Sequence, residues 1–256
     1  MGIIKTKGII ISESNMGDFD KMLTMLTPGQ GKISCVAKGA RRPKSSLLAG
    51  TQFLCFGEYI MYKGAENYTI NSCETIEMFY NIRTDLDKLE NAANITKIIQ
   101  EVTGENENCY KILQLYLNTL FMISEGEKEA NFVISIFKMK LLCYLGLRPK
   151  VDECTNCGNK ENLNYFSIKD NGTKCQNCGR IDKGAISISQ STWLAIKYIV
   201  MSPSKKLFSF NIGEESRKEL ELICRVYFNE KLEKEYKWYH HNRNFNKSIV
   251  IFYILR

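Results

Sequence analysis

Four cysteines, Cys154, Cys157, Cys175 and Cys178, stand as two Cys-x-x-Cys pairs separated by seventeen residues. A two-residue gap lets both sulfurs of a tight turn face one ion, and two such turns complete a tetrahedron around it. Each pair is followed by a glycine, Gly158 and Gly179, which lets a turn close without a Cβ clash. The ion expected from four thiolates is a single Zn2+. Its coordination would be full, with no open position for water or substrate, so the role is structural. Between the pairs, Leu163–Ile168 followed by Asn171-Gly172 reads as a short hairpin.

The second constellation is one of charge. The chain has 35 basic and 28 acidic residues. From Lys21 to Gly57 there are six basic residues, Lys21, Lys32, Lys38, Arg41, Arg42 and Lys44, and no acid. Nearly all of the net charge of +7 therefore lies in one segment. A single-sign block of this kind is a footprint for a polyanion. Its centre, Lys38-Gly-Ala-Arg-Arg-Pro-Lys44, has the composition of a loop, and phosphates require cations rather than any one sequence. Four aromatics follow: Phe53, Phe56, Tyr59 and Tyr62. Rings beside a cationic groove can stack unpaired bases; for any single one of these four, the core of the barrel is the better reading.

Signatures of catalysis are absent. There is no Gly-x-x-x-x-Gly-Lys loop, no dinucleotide fingerprint, no Gly-x-Ser-x-Gly and no His-Glu-x-x-His. The two histidines, His240 and His241, lie outside metal-ligand spacing, and Asp18 and Asp20 flank a turn without further acids to hold catalytic magnesium.

The elements that must position these groups follow from periodicity. Ile3–Ile11, Asp20–Leu26, Lys32–Lys38, Gln52–Tyr62 and Tyr68–Met78 read as strands, punctuated by Thr27-Pro28-Gly29 and Lys63-Gly64. Five short strands with turn signals predict a small barrel. Along the fourth, Phe53, Cys55, Gly57, Tyr59 and Met61 share one face. Helical spacing then predicts helices over Arg83–Thr103, Cys109–Ile123, Lys128–Leu145, Ser191–Met201 and Glu214–Lys234, with Ser189 or Ser191 as the cap of the fourth. The fold class expected is α+β multidomain. A barrel over 1–80 is followed by an all-α domain over 81–150 and 185–256, interrupted by the cysteine module at 151–184.

Composition bounds the class. With 44% hydrophobic and 25% charged residues, the chain is typical of a globular protein. No run reaches the roughly 18 apolar residues that a membrane span needs, and the N-terminus lacks the pattern of a signal peptide. Ten cysteines without a secretion signal point to a reducing compartment. Cys35, Cys55, Cys73, Cys109, Cys143 and Cys224 sit singly among apolar residues and are expected as small buried hydrophobes.

The stretch Gly31-Lys-Ile-Ser-Cys-Val-Ala-Lys-Gly-Ala-Arg-Arg-Pro-Lys-Ser-Ser46, then Gln52-Phe-Leu-Cys-Phe-Gly-Glu-Tyr-Ile-Met-Tyr62, resembles the RecO family of DNA repair proteins. So does the order of barrel, helices, four-cysteine module and helices. The resemblance covers about residues 1–236 and implies an N-terminal oligonucleotide-binding (OB) fold and a helical domain holding a zinc ribbon. It implies a bacterial, cytoplasmic, nucleoid-associated recombination mediator that is not an enzyme. Such a protein binds single- and double-stranded DNA and anneals strands. It acts with RecR, and often RecF, to load the RecA recombinase onto DNA coated by single-stranded-DNA-binding protein (SSB), whose C-terminal tail is a further partner. The DNA role carries over to Lys38, Arg41, Arg42 and Lys44, with Lys32 at the head of the preceding strand as a further candidate. After about Lys237 the chain departs from the family pattern. Two other readings differ in chemistry: a scaffold whose basic loop grips acidic protein tails, and a zinc-stapled nucleic-acid enzyme.

Overall fold

The computed structural model describes residues 2–65, 67–234 and 236. His240, His241 and the C-terminal tail lie outside the described residues. Residue contacts divide the chain into two units. One contains the residues up to Arg83 together with Thr96–Leu113; the other contains Thr84–Ile95 and Gln114–Tyr236.

The first unit is built on five strands: β1 (Ile3–Met16), β2 (Asp20–Thr27), β3 (Gly31–Ala37), β4 (Phe56–Lys63) and β5 (Tyr68–Glu77). They close into a barrel in the order β1-β2-β3-β5-β4. Only the β3–β5 pairing is parallel. This is the expected OB fold. Burial alternates strictly along β3, as a pleat with one face inward requires. Ile10, Leu23, Met25, Ile33, Cys35, Tyr59, Met61 and Ile70 fill the interior.

Two strand limits differ from expectation, each for a backbone reason. β1 runs past Ile11 to Met16 because it serves two partners in succession: Ile3–Ile9 pair with β4, and Ile9–Met16 pair with β2. Its polar second half shows no apolar pattern, yet the ladder holds it. β4 begins at Phe56 rather than Gln52, because Gln52–Cys55 close a turn, with Cys55 N donating to Gln52 O. Leu54 there has φ +63° and is held by its amide on Ile10 O. The guanidinium of Arg83 closes the same turn, donating to Gln52 Oε1 and Phe53 O, while its Nε donates to Met78 O. Arg83 ends a one-turn helix, α1 (Tyr80–Arg83), that periodicity did not predict.

The rest of this unit comes from the part of α2 (Leu86–Val102) that follows Ile95 and from the start of α3 (Tyr110–Glu125). Gln100 Nε2 donates to Ile11 O at 2.6 Å, and the amide of Lys32 donates to Gly104 O at 2.8 Å.

The second unit centres on α4 (Ala130–Tyr144), which is buried from Phe132 through Leu142. Burial on all faces goes with apolar residues around most of its circumference. It even includes Lys140, whose ammonium donates to the carbonyls of Ile199, Val200 and Ser202. The cysteine module follows as a small sheet of β6 (Tyr165–Ser167), β7 (Gly172–Lys174) and β8 (Ile186–Ser187), in the order β7-β6-β8, with α5 (Gln176–Ile181). The β6–β7 hairpin was legible in sequence; β8 and α5 are additions. Then come α6 (Gln190–Met201) and α7 (Glu214–Lys231), which pack on α4 and on each other. Ser189 caps α6, its hydroxyl accepting from Thr192 N. No helix of the described residues is long and apolar enough to cross a membrane.

Candidate metal centre and nucleic-acid interface

In the cysteine module, Cys154 N donates to Asn159 O and Gly158 N donates to Cys154 O, folding the first pair into a knuckle. Gly158 sits at φ +74°, where an L side chain is strained. The second knuckle runs from β7 into α5, with Gly179 N donating to Cys175 O. Gly179 is needed for a different reason. A Cβ there would lie 2.2 Å from Cγ of Tyr165.

The four sulfurs lie within 4.8 Å of one another. Cys157 and Cys175 are 3.7 Å apart, close to the edge of about 3.8 Å expected for a tetrahedron with metal–sulfur bonds of about 2.3 Å. Asn156 Nδ2 donates to Cys178 Sγ at 3.3 Å, an outer hydrogen bond of the kind that orients a ligand. Burial pushes Cys154 up, but backbone amides of Cys175, Cys157 and Asn156 outweigh it and hold the thiol at about 6. At Cys157 the amide of Asn159 pulls down, and the three neighbouring sulfurs overcome it, raising the thiol to about 12. One thiolate forms readily and the next is resisted, as expected where several must share one cation. The donor set fits a metal ion with four soft ligands. By contrast, burial pushes Cys35 and Cys224 up to about 12. Cys35, Cys55, Cys109 and Cys224 are buried and Cys73 and Cys143 half-buried.

Beneath the knuckles, Lys174 is 5% exposed and pairs with Asp170 and Asp182 at 2.5 and 2.7 Å. Ser167 Oγ also donates to Asp182. Trp193 packs on Cys154, Leu163 and Cys175 and donates through Nε1 to Val151 O.

In the barrel unit, the basic loop leaves β3 and is fastened to the β1–β2 turn. Gly39, at φ +64°, donates its amide to Asp20 Oδ1 at 2.7 Å. Arg41 N donates to Phe19 O, and its Nη1 donates to Gly17 O and Asp18 O. Arg42 N donates to Gly39 O, and Ser45 N to Arg42 O. These bonds hold the loop at Gly39, Arg41 and Arg42, and Lys38, Arg41, Arg42 and Lys44 are all exposed. Among the described residues none of the four has an ion pair.

Two cations of the acid-free window stand apart from this group. Lys21 pairs with Glu13 on the neighbouring strand at 2.5 Å, a compensation invisible in a linear count. Lys32 donates its ammonium to Gln100 O at 2.7 Å, near the C-terminal end of α2, where a cation is favourable.

The aromatics also separate. Tyr59 is fully buried, and its hydroxyl donates to Gly50 O at 2.8 Å. It is a core residue, which corrects the expectation that it could stack a base. Phe53 lies in the turn before β4 and is half-buried, as is Phe56. Tyr62 is exposed but pairs with Ile3, the opposite end of β1 from the turn that holds the basic loop. The ring beside that loop is Phe19, 49% exposed, with the Arg42 guanidinium 5.2 Å from its centroid. Sequence reasoning missed it because one aromatic between Asp18 and Asp20 belongs to no alternating run. The one signal it offered was an apolar residue inside a polar turn.

Comparison with known proteins agrees with this architecture. The family described as Recombination protein O N terminal matches residues 1–79, and Recombination protein O C terminal matches residues 83–239. A DNA repair protein RecO from Acetivibrio thermocellus is 43% identical over 92% of this chain and 94% of its own length. Proteins of the same name from Alkaliphilus metalliredigens and a Thermoanaerobacter species are each 32% identical. They cover 88% and 93% of this chain, and 92% and 96% of their own lengths. Barrel, helical unit, cysteine module and relatives agree, and the chain belongs to the RecO family of DNA repair proteins.

Proposed function

We propose that this chain is a non-catalytic recombination mediator that binds single- and double-stranded DNA and promotes the annealing of complementary strands. The observation that carries the reading is the loop of Lys38, Arg41, Arg42 and Lys44, exposed and, among the described residues, free of ion pairs on an OB barrel. Cations so held screen phosphate repulsion without reading sequence, which is what bringing two strands together requires. Family membership supports the remaining assignments: action with RecR and RecF, contact with the C-terminal tail of SSB, loading of RecA, and residence in the bacterial cytoplasm at the nucleoid. The sulfur geometry supports one Zn2+ held by Cys154, Cys157, Cys175 and Cys178 as a structural staple.

Strand annealing in the presence and absence of SSB tests the reading. The double variant Arg41→Glu/Arg42→Glu should lose annealing and bind DNA more weakly, with a flatter dependence of affinity on salt. Unchanged affinity and unchanged salt slope would overturn it. So would displacement of DNA by an acidic peptide at equal charge concentration.

A further inference from the structure

We propose that Phe19 is a stacking platform for an unpaired nucleobase, making the β1–β2 turn a single-strand-selective subsite. This rests on the DNA-binding reading of the basic loop and deepens it.

The ring lies outside the core and beside the loop cations. Phe19 sits in a turn with Gly17 and Asp18, both exposed. It is half open to solvent rather than turned into the barrel core formed by Leu23, Met25 and their neighbours. It is also fixed. Its carbonyl accepts the amide of Arg41, the next residue's carboxylate accepts the amide of Gly39, and Arg42 covers part of the ring. With the backbone held, only the side-chain torsions of Phe19 remain to be ordered when a base lies against the ring. The cation on the ring strengthens the attraction for an electron-rich base. The loop cations beside it supply phosphate contacts to the same strand. Asp18, on the same turn, disfavours phosphate there, so what the turn offers is the ring. Stacking needs an exposed base face, which a paired duplex does not present in its interior. Tyr59 and Tyr62 of β4 cannot serve instead beside this loop: Tyr59 is buried, and Tyr62 lies at the far end of β1.

The test is fluorescence anisotropy with a labelled oligothymidylate and a duplex of equal length, over a salt series. It compares the full chain with Phe19→Ala, Phe19→Trp and Arg41→Glu/Arg42→Glu, with melting curves confirming that each variant is folded. Phe19→Ala should weaken single-strand binding by roughly tenfold, within the range that stacking one base is worth. The salt slope should be unchanged, because no phosphate contact is lost. Duplex affinity should stay as it was, and Phe19→Trp should retain single-strand binding. Equal weakening of single strand and duplex would show that Phe19 only props Arg42, and would overturn the proposal. Unchanged single-strand affinity in Phe19→Ala, while the charge-reversal variant loses binding, would overturn the stacking subsite alone. No loss in either variant would overturn both the subsite and the loop reading.

Discussion

Ser189 donates both its backbone amide and its hydroxyl to the same oxygen of Glu219, each at 2.9 Å. Thr192 adds its hydroxyl to that oxygen at 2.5 Å. The carboxylate of α7 thus sits at the N-terminus of α6, where a negative charge meets the positive end of the helix dipole. Burial alone would push the Glu219 carboxyl up, but the donors from Thr192 and Ser189 outweigh it and hold it below its ordinary range. A depressed carboxylate adds stability above the unfolded value of about 4.3 and loses it as pH falls through the folded one. Glu219→Gln should therefore lower stability by about 1.5–3 kcal/mol at neutral pH, the worth of hydrogen bonds to a charged group. The difference from wild type should shrink below about pH 4. Urea denaturation at pH 7 and pH 3.5 measures both.

Lys174 is the hub of the cysteine module. Its ammonium, with help from Ser167, holds the Asp182 carboxyl down to about 2. Lys174→Met would leave Asp170 and Asp182 without their shared cation. We expect a loss of about 1–3 kcal/mol, less than for a fully enclosed pair because both carboxylates keep some solvent. In a carboxyl-carbon NMR titration, Asp182 should move up toward the ordinary aspartate value of about 3.9. In the wild type the stabilisation is present above that value and fades as pH falls toward 2.

Cys175→Ser removes one of four ligands. Metal analysis should find about one zinc per wild-type chain and a substoichiometric amount in the variant. The cysteine module should become protease-sensitive, while affinity for DNA at the barrel loop stays within about twofold. Loss of zinc with no change in thermal stability would contradict a structural role. Gly179→Ala attacks the same knuckle by collision with Tyr165, and Tyr165→Ala in the same chain should restore part of the metal retention.

Tyr59→Phe deletes one oxygen from the barrel interior. Gly50 O then loses its hydroxyl partner, and the expected destabilisation is about 1–2 kcal/mol. Thermal melting of the variant should show it without a change in secondary structure, because the ring itself still fills the core.

Local patterns were enough to read the barrel, the main helices and the two cysteine pairs, since alternation, helical spacing and the Cys-x-x-Cys gap are each written within a few residues. What they could not reveal is pairing between distant segments. The polar half of β1 is a strand only because β2 lies against it. Lys21 looked uncompensated because Glu13 faces it across a ladder rather than along the chain. Tyr59 and Tyr62, three positions apart on one strand, face opposite sides, but only the closure of the barrel decides which side is core. Phe19 gained its surroundings from a loop about twenty residues away.

The barrel unit takes in Thr96–Leu113 although residues 84–95 between belong elsewhere. A protease cut between Arg83 and Leu86 would therefore not set the barrel free. Gln100 would still hold Ile11, and Gly104 would still hold Lys32. Release needs a second scission beyond Leu113. A fragment ending near residue 80 would bare the surface that this segment covers and would favour aggregation over a soluble barrel.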